Sequence, residues 1–210
     1  MTDAAARFRR LSRQACAHLR RHPISAGILG LLLLGLLSLA WPLPPTADAP
    51  GGVVSLKITD RSGQVLREIR PDGRGRPVPL ADVDPSVLAA LVATEDRRFY
   101  RHPGVDPLAV LRALRSNLRE GRVVSGASTL TMQVARRLRN TRERGWWDKI
   151  VEAHLAVRVD LRWSKDRILR AWLNRVSYGN HTHGIEAAAR LYFGKHAIDL
   201  TRAESAFLVG

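Results

Sequence analysis

Hydrophobic residues follow three different patterns along this chain, and the first is a long uncharged run. Between residues 23 and 47 no side chain is charged, and leucine dominates from Ile24 to Trp41. Because about 20 apolar residues suffice to cross a bilayer as a helix, residues 24–43 are predicted to form a transmembrane anchor. A cleaved signal peptide is the alternative, since small residues follow at 47–49. We favour the uncleaved anchor, because the apolar and basic regions are longer than in a typical signal.

The second pattern is a short alternation of apolar and polar residues. Val54, Leu56 and Ile58 fall on one face of an extended strand, and the turn sequence Asp60–Gly63 leads to a second apolar segment. Alternation on both sides of a tight turn predicts a β-hairpin. Residues 44–52, which are rich in proline, alanine and glycine, are predicted to be the linker before this hairpin.

The third pattern is helical and begins at Pro85, where apolar residues start to recur every three or four positions. The first helix is predicted to carry Glu95 and Asp96 at its end. Asp106-Pro107 predicts the start of the next helix, and Gly121 its end. Further helices are predicted at about 128–137, at 146–160, after the cap Ser164, at 184–192, and after the capping box of Thr201 and Glu204. The chain beyond the hairpin is therefore predicted to be mainly α-helical.

Basic charge is unevenly distributed along the chain. The formal net charge is +15, and residues 1–23 hold six arginines against one aspartate. The positive-inside rule places this basic tail in the cytoplasm and the rest of the chain across the membrane. The lone cysteine, Cys16, lies in the tail, so no disulfide is expected in the exported domain. The exported part keeps a net charge of about +10, which fits nucleic acid, an anionic lipid surface or an anionic substrate. The predicted location outside the cytoplasmic membrane favours the lipid surface or substrate over nucleic acid.

Five motifs carry polar residues in a fixed order. They are Glu95–Gly104, Gly126–Gln133, Lys149–Glu152, Lys165–Asn174 and Gly184–Gly194. Alone, a Glu-Asp pair at a helix end is often a solvated cap, and a Ser/Thr cluster is often a loop. Together, the motifs resemble the peptidoglycan glycosyltransferase (transglycosylase) family, found as the amino-terminal domain of class A penicillin-binding proteins and as stand-alone enzymes. The resemblance covers about residues 53–210.

The resemblance implies a mainly α fold: a lysozyme-like, two-lobed helical glycosyltransferase domain with a short amino-terminal β-hairpin, preceded by one transmembrane helix. Family members continue past Gly210, so the carboxy-terminal end of the domain is expected to be truncated. The Ser-x-x-Lys and Lys-Thr-Gly signatures of a transpeptidase are absent from these 210 residues. The implied location is the bacterial inner membrane, with the catalytic domain on the periplasmic side.

The implied reaction is polymerisation of lipid II into β-1,4 glycan strands, with inversion and release of undecaprenyl diphosphate. This chemistry needs a base for the acceptor hydroxyl and positive charge for the leaving group. Glu95 matches the base of the family, and Glu152 matches its second carboxylate. The residues matching substrate-contacting positions are Asp96, Phe99, Ser128, Thr129, Gln133, Arg136, Arg144 and Lys149. Of these, Arg136, Arg144 and Lys149 are expected to contact the diphosphate.

Lys149 and Glu152 are three residues apart and share one face of their predicted helix, which is expected to be exposed to a cleft. The opposite, buried face is predicted to consist of Trp146, Ile150, Ala153 and Val157. Mg²⁺ or another divalent cation, bound together with the substrate diphosphate, is the expected cofactor, because Mg²⁺ combines few protein oxygens with substrate phosphates. No His/Cys cluster suggests a permanent metal site.

Two departures from the family pattern concern phosphate and hydrogen-bond contacts. Met132 stands where the family usually has the first of two glutamines, and Asp148 stands where arginine is common. His181 and His183 receive no role. The expected partners are lipid II, the growing glycan strand, the membrane and other cell-wall synthesis proteins, with no nucleic acid. A lysozyme-like lytic glycosidase and a non-catalytic membrane-anchored scaffold are the alternative functions.

Overall fold

The structure is a computed structural model that describes residues 35–44, 56–69, 77–124, 126–139, 145–180 and 182–210. The chain divides into two compact units, residues 1–42 and 43–210. In the first unit, residues 35–39 are helical. No helix among the described residues is long and apolar enough to cross a membrane. The predicted basic tail and most of the predicted anchor and linker lie outside the described residues, as do three further named residues, Val54, Arg144 and His181.

The predicted β-hairpin is confirmed. Strand β1 (Leu56–Thr59) pairs antiparallel with β2 (Val65–Ile69), with an irregularity in the register between Ile58 and Thr59. The Asp60 carboxylate accepts hydrogen bonds from backbone N–H groups inside the turn. Gly63 adopts a φ of 85°, a conformation that favours glycine. The turn sequence Asp60–Gly63 therefore closes the hairpin as its composition predicts.

The described part of the second unit is otherwise mainly helical, as predicted. Its α-helices are α1 (Pro85–Glu95), α2 (Pro107–Glu120), α3 (Leu130–Arg139), α4 (Trp146–Asp160), α5 (Lys165–Arg175), α6 (Ile185–Phe193) and α7 (Arg202–Val209). Short 3₁₀ helices lie at Leu80–Asp82, Phe99–Arg101 and Ala197–Asp199. The lysozyme-like, two-lobed arrangement and the transmembrane helix before it stay predictions.

The helix boundaries follow the predicted caps. The Asp106 carboxylate accepts the Leu108 N–H at the start of α2, and the Ser164 hydroxyl accepts the Arg167 N–H at the start of α5. The capping box of Thr201 and Glu204 opens α7. Each cap satisfies backbone N–H groups that the first helical turn leaves without a partner.

Helix α3 is the centre of the core. It packs against α4 and α5, while α1 packs against α7. Six of its residues are buried, namely Leu130, Thr131, Met132, Val134, Ala135 and Leu138. Gln133 and Arg136 lie on its remaining, more accessible side. A helix that is held on most sides in this way presents its accessible polar side chains, including Gln133 and Arg136, from a rigid base.

The predicted buried face of α4 is wrong. Trp146 is 85% exposed and Ile150 is 58% exposed, whereas Ala153 and Val157 are half-buried. The face that packs into the core instead consists of Glu152, Leu155, Ala156 and Val159. The cause is that α4 carries apolar residues on several sides, so periodicity alone does not select the face that its neighbours cover.

The turn after the Glu-Asp motif brings the chain against the backbone of α4. Gly104 adopts a φ of 86°, and a Cβ atom at this position would lie 2.5 Å from the Ala156 carbonyl oxygen. Both the backbone conformation and the close approach therefore require glycine here. The Gly104 carbonyl also accepts a hydrogen bond from the Thr129 hydroxyl, which joins the turn to the start of α3.

We expect Gly104→Ala to lower the free energy of unfolding by about 2–5 kcal/mol, combining left-handed strain with a clash against helix backbone. Gly121→Ala is the matched control, because Gly121 has a φ of 62° but open space around it. The control should cost only about 1–2 kcal/mol. Urea unfolding of both variants measures the difference, and equal losses would contradict the close approach.

Candidate active site

Glu95 is the last residue of α1 and lies at the mouth of a cavity. The i, i+4 spacing places it in line with the fully buried Val87 and Leu91, so the helix face that packs into the core ends at this carboxylate. The cavity has a volume of about 420 Å³, and Gln133, Trp172 and Tyr178 are among its lining residues. The Glu95 side chain is exposed rather than dehydrated.

One oxygen of the Glu95 carboxylate is held by α3. Gln133 Nε2 donates a hydrogen bond of 2.6 Å to Glu95 Oε2. Among the described residues, no other side chain donates to this carboxylate, so Oε1 is left to face a ligand. Glu95 and Gln133, two of the predicted site residues, therefore come together across 38 positions of sequence.

Asp96, which is also predicted to contact substrate, makes contacts within the domain. Its side chain is buried, and its carboxylate pairs with His102 Nε2 at 3.1 Å. Asp96 Oδ2 also accepts the Leu130 N–H at 3.1 Å. An acidic group at the first turn of a helix satisfies an orphan donor and favours the helix dipole. Asp96 thus ties the end of α1 to the start of α3.

Thr129 and Phe99 are likewise buried. The Thr129 hydroxyl accepts the Met132 N–H and donates to the Gly104 carbonyl, so it caps α3. The Phe99 ring is fully buried, with the Lys165 ammonium 4.7 Å from its centroid. The predicted substrate contacts of Asp96, Phe99 and Thr129 stay predictions; the structure shows that these three side chains are buried and contact other residues of the domain.

Glu152 forms the centre of a second cluster, also beside α3. Its side chain is buried, with Lys149 Nζ at 2.9 Å from Oε2 and Arg136 Nε at 3.8 Å from Oε1. Lys149 Nζ also donates to Ser128 Oγ at 3.0 Å. Both cationic side chains are more than 40% exposed. The cluster therefore presents two cations and a hydroxyl at the surface, with one carboxylate behind them.

The two clusters are linked through α3. Gln133 contacts Glu95, and Arg136, one turn further along the helix, pairs with Glu152. Residues three apart in a helix lie on the same side and about 4.5 Å apart along its axis. Helix α3 therefore contributes Gln133 to the cluster around Glu95 of α1 and Arg136 to the cluster around Glu152 of α4.

The side chains around Glu152 do not form the ligand set of a resident metal ion. Both carboxylate oxygens already face cations, and a divalent ion there would be repelled by Lys149 and Arg136. Among the described residues, no group of three or more histidine, cysteine or acidic side chains is arranged to hold a metal. The predicted divalent cation therefore stays a prediction, as an ion that would arrive on the diphosphate of the substrate.

Asp148, the second departure from the family pattern, has a structural role. Its carboxylate accepts a hydrogen bond of 3.2 Å from Arg139 and one of 3.0 Å from the Gly145 N–H. It therefore caps α4 and joins this helix to the end of α3. Because Arg139 is held in this contact, it does not replace the arginine that is common at position 148 in the family.

Two residues of the cavity wall, Trp172 and Tyr178, received no role from the sequence, and neither did Arg137 beside Trp172. Trp172 Nε1 donates to Gln133 Oε1 at 2.9 Å, and the Arg137 guanidinium lies 5.8 Å from the centre of the Trp172 ring. Burial lowers the pKa of Arg137 and raises the pKa of the Tyr178 hydroxyl. Trp172 stands within the motif Lys165–Asn174, which was the one signal that could have pointed to it.

Residues of the last two motifs make contacts that hold the second half of the domain together. Asn174 exchanges two hydrogen bonds of 2.9 Å with the backbone of Val78, 96 positions away. Glu186 pairs with Arg190 and His196 and accepts the Ala197 N–H. Burial alone would raise the pKa of Glu186, but these hydrogen bonds outweigh it and hold the pKa below its ordinary value.

Comparison with known proteins identifies the class to which this domain belongs. Residues 62–210 match the family model described as Transglycosylase. Because the match covers more than half of the chain, the chain belongs to the transglycosylase family.

Its relatives include penicillin-binding protein 1A of Aquifex aeolicus, 38% identical over 87% of this chain, and penicillin-binding protein 1C of Escherichia coli, 41% identical over 80%. Penicillin-binding protein 2D of Bacillus subtilis is 46% identical over 63% of this chain. The sequence of residues 129–136, with Met132 in place of glutamine, looks most like penicillin-binding protein 1C, and a protein of that name is among the matches. This chain spans only 26%, 21% and 19% of the length of these three proteins.

Proposed function

We propose that this domain polymerises lipid II into β-1,4 glycan strands with release of undecaprenyl diphosphate. The observation that carries the proposal is the pair of clusters that α3 links, an exposed carboxylate at Glu95 and a surface cation pair at Lys149 and Arg136. Membership of the transglycosylase family supports the same reaction.

The leaving group is stabilised by the second cluster. As the bond between sugar carbon 1 and the diphosphate oxygen breaks, negative charge builds up on the diphosphate. Lys149 supplies a compact point charge and Arg136 a planar guanidinium, and Ser128 adds a hydroxyl. Glu152 holds both cations in place from the buried side. Preorganised positive charge of this kind lowers the barrier because it matches charge that develops in the transition state.

The acceptor is activated by Glu95. Its free oxygen, Oε1, takes the proton from the hydroxyl at sugar carbon 4 as that oxygen attacks carbon 1 of the donor. The new bond forms on the face opposite the departing diphosphate, so the configuration at carbon 1 inverts. The proton on Glu95 then returns to solvent, which the exposed position of this side chain permits.

The anion-binding cluster favours polymerisation over the lytic alternative. A lysozyme-like glycosidase must protonate a sugar oxygen with an acid that is kept neutral in an apolar pocket. Glu95 is instead exposed, and its side chain accepts a hydrogen bond from the Gln133 amide rather than lying in an apolar pocket. A diphosphate needs positive charge rather than a proton, and Lys149 and Arg136 supply it.

We also propose a membrane-bound protein whose catalytic domain faces the periplasm. The uncharged run from Ile24 to Trp41 behind an arginine-rich tail supports this arrangement, and a lipid-linked substrate is found at a membrane surface. The growing glycan strand and other cell-wall synthesis proteins are the proposed partners. A divalent cation bound to the substrate diphosphate is the proposed cofactor.

Incubation of the detergent-solubilised full chain with labelled lipid II tests the reaction. We expect polymer on a gel, together with one undecaprenyl diphosphate for each bond formed. A parallel incubation with purified peptidoglycan distinguishes the lytic alternative, which would release soluble fragments. A folded chain that gives neither product would overturn the catalytic proposal in favour of a scaffold.

A further inference from the structure

Both the oxygen and the nitrogen of the Gln133 side-chain amide form hydrogen bonds, and the partner of the oxygen determines that the nitrogen faces Glu95. Trp172 Nε1–H is only a donor, so the Gln133 atom at 2.9 Å from it must be the amide oxygen. The amide nitrogen then points to Glu95 Oε2 at 2.6 Å. If the amide were rotated by half a turn, its oxygen would face the carboxylate and repel it. The indole therefore selects the orientation of Gln133 that Glu95 requires.

Trp172 is itself held firmly enough to set this orientation. It is 5% exposed and belongs to the core of the domain. The Arg137 guanidinium covers the indole ring of Trp172. Arg137 also donates a hydrogen bond of 3.1 Å to the backbone carbonyl oxygen of Gln133. Glu95, by contrast, is exposed and has rotatable side-chain bonds. A rigid indole therefore restrains a mobile carboxylate through one intervening amide.

We propose that Trp172 is a positioning residue for Glu95 and acts through the amide of Gln133. The inference rests on the proposed function, in which Glu95 is the base. This hydrogen-bond relay, from Trp172 through Gln133 to Glu95, holds Oε2 against α3 and leaves Oε1 without a side-chain donor among the described residues, at the cavity that Glu95 lines and where the acceptor hydroxyl would bind. Its contribution is to keep the base in a reactive geometry, which affects turnover more than substrate binding.

Trp172→Phe tests the relay, because it removes the N–H and keeps an aromatic ring beneath Arg137. We expect kcat for lipid II polymerisation to fall about 10-fold, the equivalent of one hydrogen bond, with less than about a twofold change in KM. Trp163→Phe is the matched control, since Trp163 is also buried and also lies beneath an arginine, Arg167. The control should keep the kcat of the parent chain.

A double-mutant cycle separates positioning from a general structural role. Once Gln133→Met has removed the amide, Trp172→Phe should cost no further activity, because the two residues act in series. If Trp172→Phe lowers kcat by the same factor in the parent chain and in the Gln133→Met variant, the relay is contradicted. Thermal unfolding of each variant shows whether the fold is retained.

A second measurement does not depend on activity. The indole N–H resonance of Trp172, assigned by its loss in Trp172→Phe, should shift in Gln133→Met and remain in place in a Glu120→Gln control. An unchanged resonance in Gln133→Met would overturn the relay even in an inactive chain. Failure of the parent chain to polymerise lipid II would instead contradict the proposed function alone, so the two failures are distinguishable.

Discussion

Glu95→Gln is expected to abolish glycan polymerisation while leaving the domain folded. The amide has the shape of the carboxylate but cannot take a proton from the acceptor hydroxyl. Loss of a general base typically costs 10²–10⁴-fold, so we expect kcat to fall by about 10³-fold. The fold should tolerate the change, because Glu95 is exposed and its described contact is the one hydrogen bond to Gln133.

Glu120→Gln is the control for this variant. Glu120 is also an exposed glutamate and also the last residue of its helix, α2, so it reproduces the charge change at a site without the proposed chemistry. Polymer formation from lipid II and circular dichroism should be measured for the parent and both variants. Activity of Glu95→Gln within about tenfold of the parent would rule out Glu95 as the base.

Helix boundaries could be predicted from this sequence because their signals are local. The pair Asp106-Pro107 starts α2, Ser164 caps α5, and the box of Thr201 and Glu204 opens α7. Each of these features depends on atoms within about one turn of helix. Local chemistry therefore predicted where the elements begin without any knowledge of their neighbours.

The burial of helix faces could not be predicted in the same way. In α4, Trp146 and Ile150 are exposed while Glu152 is buried, and in α2 the leucines at 111 and 118 are exposed. Periodicity shows that residues share a face, but the neighbouring element decides whether that face is covered. For α4 the neighbour is α3, which covers the side that carries Glu152.

Predictability within the site depends on sequence separation. Lys149 and Glu152 are one helical turn apart, so their pairing could be predicted from spacing. Gln133 meets Glu95 and Trp172 from 38 and 39 positions away, and no local rule links them. The sequence therefore indicated Glu95 and Gln133 individually but not the contact between them, which depends on the packing of α1, α3 and α5.

Lys149→Met is expected to reduce kcat for lipid II polymerisation by about 10²–10³-fold, the loss typical of removing one charged or hydrogen-bonding group from a transition state. Methionine keeps the length and apolar stem of lysine but removes the charge. Glu152 would then balance Arg136 alone, so less positive charge would face the departing diphosphate. KM should change less than kcat, because the charge on the leaving group is greatest in the transition state.

Lys195→Met provides a matched comparison for this loss. Lys195 Nζ lies 2.8 Å from the Glu204 carboxylate, close to the 2.9 Å between Lys149 and Glu152, so both variants remove a lysine from an ion pair with glutamate. Only Lys149 lies beside Ser128 and Arg136 in the proposed anion-binding cluster. Equal losses of kcat in the two variants would show a general effect of charge on the domain, whereas a loss confined to Lys149→Met would place the diphosphate at this cluster.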